Sequence, residues 1–240
     1  MKQLLLITLS LFTFCICSAQ SVSDGANNAI SKADRQKLEE QLRTINIVLE
    51  KYPEEKRALL LRSQIKYKLK DYQGVIDDCQ KMIVVSFDPT SQVDYEAIWN
   101  IGVAYNSMGN FEKARKYFNQ GKGLRPADIR LFENIGYGYL QESKLDSAIM
   151  EFESMAQINP KSEKAFYGIG RANLEKGKFK KAIEAFDKAI ELKSDYALAY
   201  QNRGAAKVEL QDMDGACKDW QKSLELGVTQ IKAFMKQYCK

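Results

Sequence analysis

Glu163 to Tyr196 reads EKAFYGIGRANLEKGKFKKAIEAFDKAIELKSDY, and these residues decide the fold. Ala165-Phe166-Tyr167-Gly168-Ile169-Gly170 opens one helix. Gly177-Lys178-Phe179-Lys180-Lys181-Ala182 then turns into a second, which carries Phe186, Ala189, Ile190 and Leu192 on one face. Stepping outward by 34 residues, glycine recurs at Gly102, Gly136, Gly170 and Gly204, and alanine at Ala114, Ala148, Ala182 and Ala216. The same step carries an aromatic row, Phe118, Phe152, Phe186 and Trp220. It also carries the row Leu124, Ile158, Leu192 and Leu226, the tyrosines Tyr105 and Tyr139, and the prolines Pro126 and Pro160. Small residues let two helix axes approach closely, and the aromatic rings fill the space left between them.

This period and pattern resemble the tetratricopeptide repeat. The resemblance implies an all-α fold, a right-handed superhelical solenoid of antiparallel helix pairs in which each pair covers apolar surface its neighbour leaves open. Full units run over residues 95–128, 129–162, 163–196 and 197–227. A degenerate unit spans 56–94, where Asp71-Tyr72 matches the turn between helices. Here, however, Arg62, Ser63 and Lys66 replace the family's leucine, glycine and tyrosine, and Cys79 takes the aromatic place. Its five extra residues fit the turn-rich loop Phe87-Asp88-Pro89-Thr90-Ser91. Residues 31–55 read as an N-terminal capping helix, started by Ser31 and striped by Leu38, Leu42, Ile45, Val48 and Leu49. Residues 228–240 read as a C-terminal capping helix with Val228, Ile231, Phe234, Met235 and Tyr238 on one side.

The chain starts with one positive charge, Lys2, followed by an apolar run from Leu4 to Ile16 that is too short to span a bilayer. Residues 1–19 therefore read as a signal peptide cut after Ala19, leaving a mobile linker over 20–30 and placing the protein in the periplasm or envelope. Lipid attachment at Cys15 or Cys17 is the alternative, though bulky Phe14 and Ile16 precede those cysteines. Loss of Lys2 lowers the formal charge from +5 to +4, without a basic block that would point to nucleic acid. The cleaved chain keeps Cys79, Cys217 and Cys239. Cys217 and Cys239 can close the C-terminal cap as a disulfide, whereas Cys79 reads as a small buried apolar residue.

There is no histidine, which removes the commonest general base and metal ligand together. Gly136-Tyr137-Gly138 and Gly168-Ile169-Gly170 lack the third glycine and preceding strand of a dinucleotide loop. Asp212-Met213-Asp214-Gly215 lacks the ligand spacing of a calcium loop and coincides with a turn between helices. The reading is a protein that is not an enzyme and carries no cofactor or metal.

Places below are counted from the first residue of each unit. The family resemblance implies that first helices line a concave groove, with places 2, 5, 9 and 12 sharing that side. The candidate binding residues are Glu96, Trp99, Val103 and Asn106; Arg130, Glu133 and Tyr137; Lys164, Tyr167 and Arg171; Gln201; and, at place 6, Asn100, Asn134 and Asn202. Leu140 and Leu174 complete the row at place 12. The family's lysine and asparagine clamp for acidic chaperone tails is not matched: Trp99 and Glu133 stand for its lysine, Val103 and Tyr137 for its asparagine. The function expected is a scaffold or adaptor outside the cytoplasm that binds a peptide or protein in this groove. The alternatives are a structural subunit of an envelope assembly or a non-catalytic subunit of an enzyme complex.

Overall fold

The computed structural model describes residues 30–239. The expected leader and cleavage point, the lipidation cysteines and nearly all of the linker lie outside them. The described residues hold twelve α-helices, one 3-10 turn and no strand. They divide after Gly138 into two compact units. The N-terminal unit contains α1 (Lys32–Lys51), α2 (Lys56–Lys68), α3 (Tyr72–Val85), α4 (Gln92–Ser107), α5 (Phe111–Leu124) and most of α6 (Ile129–Gln141). The C-terminal unit contains α7 (Leu145–Ile158), α8 (Glu163–Glu175), α9 (Phe179–Leu192), α10 (Ala197–Glu209) and α11 (Met213–Glu225). The 3-10 turn Thr229–Ile231 and α12 (Lys232–Tyr238) end it.

Each helix pair reverses direction in the same way. Place 15 has positive φ in all five pairs, at Lys70, Gly109, Ser143, Gly177 and Gln211, although only two of these are glycine. At place 16 the backbone N–H reaches back to the carbonyl of place 11, as in Asp71 to Lys66, Asn110 to Tyr105 and Asp212 to Lys207. This bond satisfies a carbonyl that the helix end would otherwise leave open. Asp71, Asn110 and Asp212 then cap the second helix through their side chains. The Asp212 carboxylate therefore serves a turn, accepting from Gly215 N at 2.9 Å.

The glycine row is forced by contact. A Cβ on Gly102 would stand 2.6 Å from Phe118, on Gly170 2.5 Å from Phe186, and on Gly204 2.6 Å from Trp220. The degenerate pair solves the same packing problem with opposite sizes, since Ser63 fills the glycine place and Cys79 shrinks the aromatic one. Both are fully buried. Arg62 and Lys66, which break the family pattern, grip one buried carboxylate. Arg62 Nε and Nη2 donate to Asp78 at 2.9 and 2.6 Å, and Lys66 Nζ lies 2.9 Å away. The last pair repeats this at the same three places: Arg203 Nε and Nη2 donate to Asp219 at 2.9 and 2.5 Å, and Lys207 Nζ lies at 2.8 Å. Between them, places 7 and 11 hold Ile101 and Tyr105, Ile135 and Tyr139, and Ile169 and Asn173.

The third donor of each clasp reveals the register of α1. Arg62 Nη1 donates to Asn46 and Arg203 Nη1 to Asp187, both sixteen residues upstream. Asp187 belongs to the second helix of a repeat, so α1 occupies a second-helix position and ends, like α5, α7 and α9, one residue before a cap of similar backbone conformation. Unlike those helices it runs without a turn through places 13–16. Gln41 and Thr44, exposed on α1, stand where the repeats bury alanine or valine and, in the clasped pairs, aspartate. At the other end, Ile231 is buried and a disulfide joins Cys217 on α11 to Cys239, with Cα atoms 5.6 Å apart.

Candidate functional site

Glu96, Trp99, Asn100, Val103, Asn106, Arg130, Glu133, Asn134 and Tyr137 all belong to the N-terminal unit and are partly accessible. Their centre is Trp99. Its ring is tilted against Phe118 at 5.4 Å, and the Arg130 guanidinium covers it at 4.6 Å. Arg130 is itself held by Asp128 at 2.6 Å, with Glu96 at 4.0 Å. Burial alone would raise the Asp128 carboxyl. Hydrogen bonds from Arg130 and Tyr95, together with the Arg130 charge, outweigh it and hold the group below the ordinary carboxylate value. The indole is thus fixed by a charged network instead of being left to rotate. Asn106 Nδ2 donates to Asn134 Oδ1 at 3.3 Å, and Asn134 Nδ2 to the Arg130 carbonyl at 2.9 Å, which ties α4 to α6 along the same side.

Beside Trp99 lies a cavity of about 280 Å³ between α2, α3 and α4, lined by Gln64, Tyr67, Lys68, Val75, Trp99, Asn100 and Val103. Four of these residues come from the degenerate pair and were not among the sequence candidates. Gln64 and Tyr67 nevertheless occupy places 9 and 12 of that pair. Extending the face rule across its irregular sequence would have found them.

The C-terminal unit corrects the expectation for its own candidates. Lys164 is exposed, but Tyr167, Arg171, Gln201 and Asn202 are 1%, 6%, 3% and 5% exposed. Tyr167 packs 4.9 Å from the Tyr196 ring and 5.9 Å from Phe186, and its hydroxyl accepts from Asn202 Nδ2 at 2.9 Å. The carbonyl of Gln201 accepts from Trp220 Nε1, and Arg171 bonds Glu175 at 3.3 Å. The Asn202 and Trp220 bonds join α8, α10 and α11, while the Arg171–Glu175 pair lies within α8, so these buried groups belong to the interior and not to a contact surface. Leu140 and Leu174 are buried as well.

Burial pushes the Cys79 thiol up to about 12, which leaves it neutral and a poor nucleophile. Among the described residues, no three His, Cys, Asp or Glu side chains cluster to hold a metal, and no helix is long and apolar enough to cross a membrane.

Comparison with known proteins agrees with this architecture. Residues 95–128 match a tetratricopeptide-repeat model, and residues 170–211 match a second TPR-repeat model. Among solved structures, a MamA crystal structure is similar at 24% identity and TM-score 0.61, covering 71% of this chain and 96% of its own. MamA from Desulfovibrio magneticus RS-1, residues 41 to the end, is similar at 22% identity and TM-score 0.63, with 73% and 96% covered. The C-terminal part of a TPR repeat-containing protein from Cytophaga hutchinsonii reaches TM-score 0.69 at 17% identity, covering 84% and 78%. No curated protein matches in sequence. At these identities the structural likeness attests the fold alone. Taken with the glycine and aromatic rows and the shared turn, it gives the chain the fold of a tetratricopeptide-repeat solenoid, with two of its repeats matched directly.

Proposed function

We propose that the protein is a non-catalytic scaffold that binds a peptide or protein segment outside the cytoplasm. The observation that carries this reading is Trp99. It is a large, partly accessible aromatic locked in place by Arg130 and Phe118 and bordered by a cavity, which is the chemistry of an interface anchor. The family's usual role in protein interaction supports it. The leader-like residues 1–19 and the Cys217–Cys239 disulfide support an oxidising compartment. Capture from envelope extract should retain a specific protein on the wild type and lose it on the Trp99→Ala/Tyr137→Ala double variant, with an unchanged circular dichroism spectrum. Equal retention by both proteins would remove the Trp99 surface from the mechanism.

A second reading, a structural subunit that docks through one end, is favoured by the distribution of exposed large apolar side chains. Seven of the eleven described (Ile47, Val48, Tyr52, Leu61, Val84, Val85 and Phe87) fall within residues 47–87. Under that reading the double variant would still capture its partner, and charged substitutions at Val84 and Phe87 would abolish capture.

A further inference from the structure

We infer that the open side of α1 is a homodimer interface, in which two copies of α1 pack antiparallel about a two-fold axis and each covers the side that a repeat's own first helix would cover. The inference goes beyond the scaffold reading and is independent of the Trp99 surface. With Asn46 at place 25, as its bond from Arg62 requires, places 20, 24 and 27 of α1 are Gln41, Ile45 and Val48. Those places are buried in all five repeats, as Ala182, Phe186 and Ala189 are in α9, where Phe186 packs on Gly170 of the first helix. In α1, Gln41 is exposed, Ile45 half-buried and Val48 41% exposed. On α2, Leu61 is 52% exposed at place 6, where Asn134 and Asn202 meet the preceding first helix through Asn106 and Tyr167.

Spacing makes the occupant a helix. Leu38, Gln41, Ile45, Val48 and Tyr52 follow one another by three, four, three and four residues, the narrow seam by which one helix packs along another. The chain supplies no helix for this side among the described residues, since α1 runs straight through places 13–16, where a repeat turns back. Residues 20–29, left ahead of it by the expected cleavage, are fewer than the 13 of a first helix such as α8.

Charge selects a second copy and its direction. Residues 32–37, all exposed, extend α1 beyond the start of a repeat's second helix and carry Lys32, Arg35 and Lys37 against one acid, Asp34. Residues 50–55 at its other end carry Glu50, Glu54 and Glu55 against one base, Lys51, and all four are exposed. Antiparallel copies set the basic end of each over the acidic end of the other, twice about one axis, whereas parallel copies would set like charges together. The same axis gives the exposed residues 32–37 a surface to lie on. The seam is one helix wide, so the dimer belongs to the small end of specific interfaces and dissociates on dilution, with a Kd on the order of 10 µM.

The test is sedimentation velocity on the purified, oxidised protein over a concentration series. Wild type should pass reversibly from monomer to dimer, and the Trp99→Ala/Tyr137→Ala variant should do the same. Val48→Glu, an exposed substitution, should weaken dimerisation about tenfold or more with an unchanged circular dichroism spectrum. Lys32→Glu/Lys37→Glu and Glu50→Lys/Glu54→Lys should each stay monomeric at concentrations where the wild type dimerises, and their equimolar mixture should dimerise again. A wild type that is monomeric up to about 1 mM would overturn the inference and leave the seam to residues ahead of α1 or to a different protein. A dimer untouched by Val48→Glu, charge variants that dimerise alone like the wild type, or a mixture that stays monomeric would each overturn it too. Capture depends on Trp99 and Tyr137 and dimerisation on α1, so either result can fail while the other stands.

Discussion

Ser63 and Cys79 show how a single contact can depart from a family pattern without opening a hole. Every other pair combines glycine at place 8 with a ring at place 24, whereas this one divides the volume between two small side chains. Cys79→Phe alone should overpack against Ser63 and lower stability by about 1–3 kcal/mol, with Ser63→Gly restoring most of the loss. A double-mutant cycle in urea reads the coupling, and strict additivity would refute the pairing. Asp128 supplies the acid response of the Trp99 site. Its folded pKa lies below the unfolded value, so its contribution is complete above the unfolded value near pH ~3.9 and is lost as pH falls through the folded one. Asp128→Asn should lower the melting temperature at pH 7 and narrow its difference from wild type toward pH 2. A constant difference across that range would contradict the assignment.

Among the elements, α1 and the C-terminal cap show where sequence reading stopped. The stripe of Leu38, Leu42, Ile45, Val48 and Leu49 identifies α1 as a helix. Its place as the second helix of a repeat appears only when Arg62 and Arg203 are seen to reach back by the same number of residues. The clasp was hidden because Arg62 and Lys66, taken singly, look like polar residues in core places; only the fold sets Asp78 opposite both. The C-terminal candidates failed for a related reason. Helical periodicity says which residues share a side, but not whether a neighbouring helix covers it, and Tyr196 and Phe186 cover Tyr167. At the other terminus α12 has only seven residues, none of them fully buried, and it is flanked by the buried Ile231 before it and by the disulfide-bonded Cys239 after it. Reduction of the disulfide should lower stability by about 3 kcal/mol, as estimated for a loop of this length. Amide exchange should then accelerate first over residues 228–239, and unchanged exchange there would show that packing alone holds the cap.

For the whole molecule, the recurring glycines and aromatics made the solenoid legible because a repeat writes the same packing problem several times. The cavity beside Trp99 was legible only in part. It joins a regular repeat, which supplies Trp99, Asn100 and Val103, to the degenerate one, whose matching places the sequence disguises. In a solenoid each pair leans only on its neighbours, so departures such as the two ionic clasps remain local and the fold tolerates them. The disulfide sets a different kind of limit, one of mechanics. A chain drawn out from its ends would carry the load through the Cys217–Cys239 bond and shield the enclosed residues. With a separation of 22 residues and about 3.3–3.6 Å per extended residue, the oxidised thread is roughly 70 Å shorter than the reduced one.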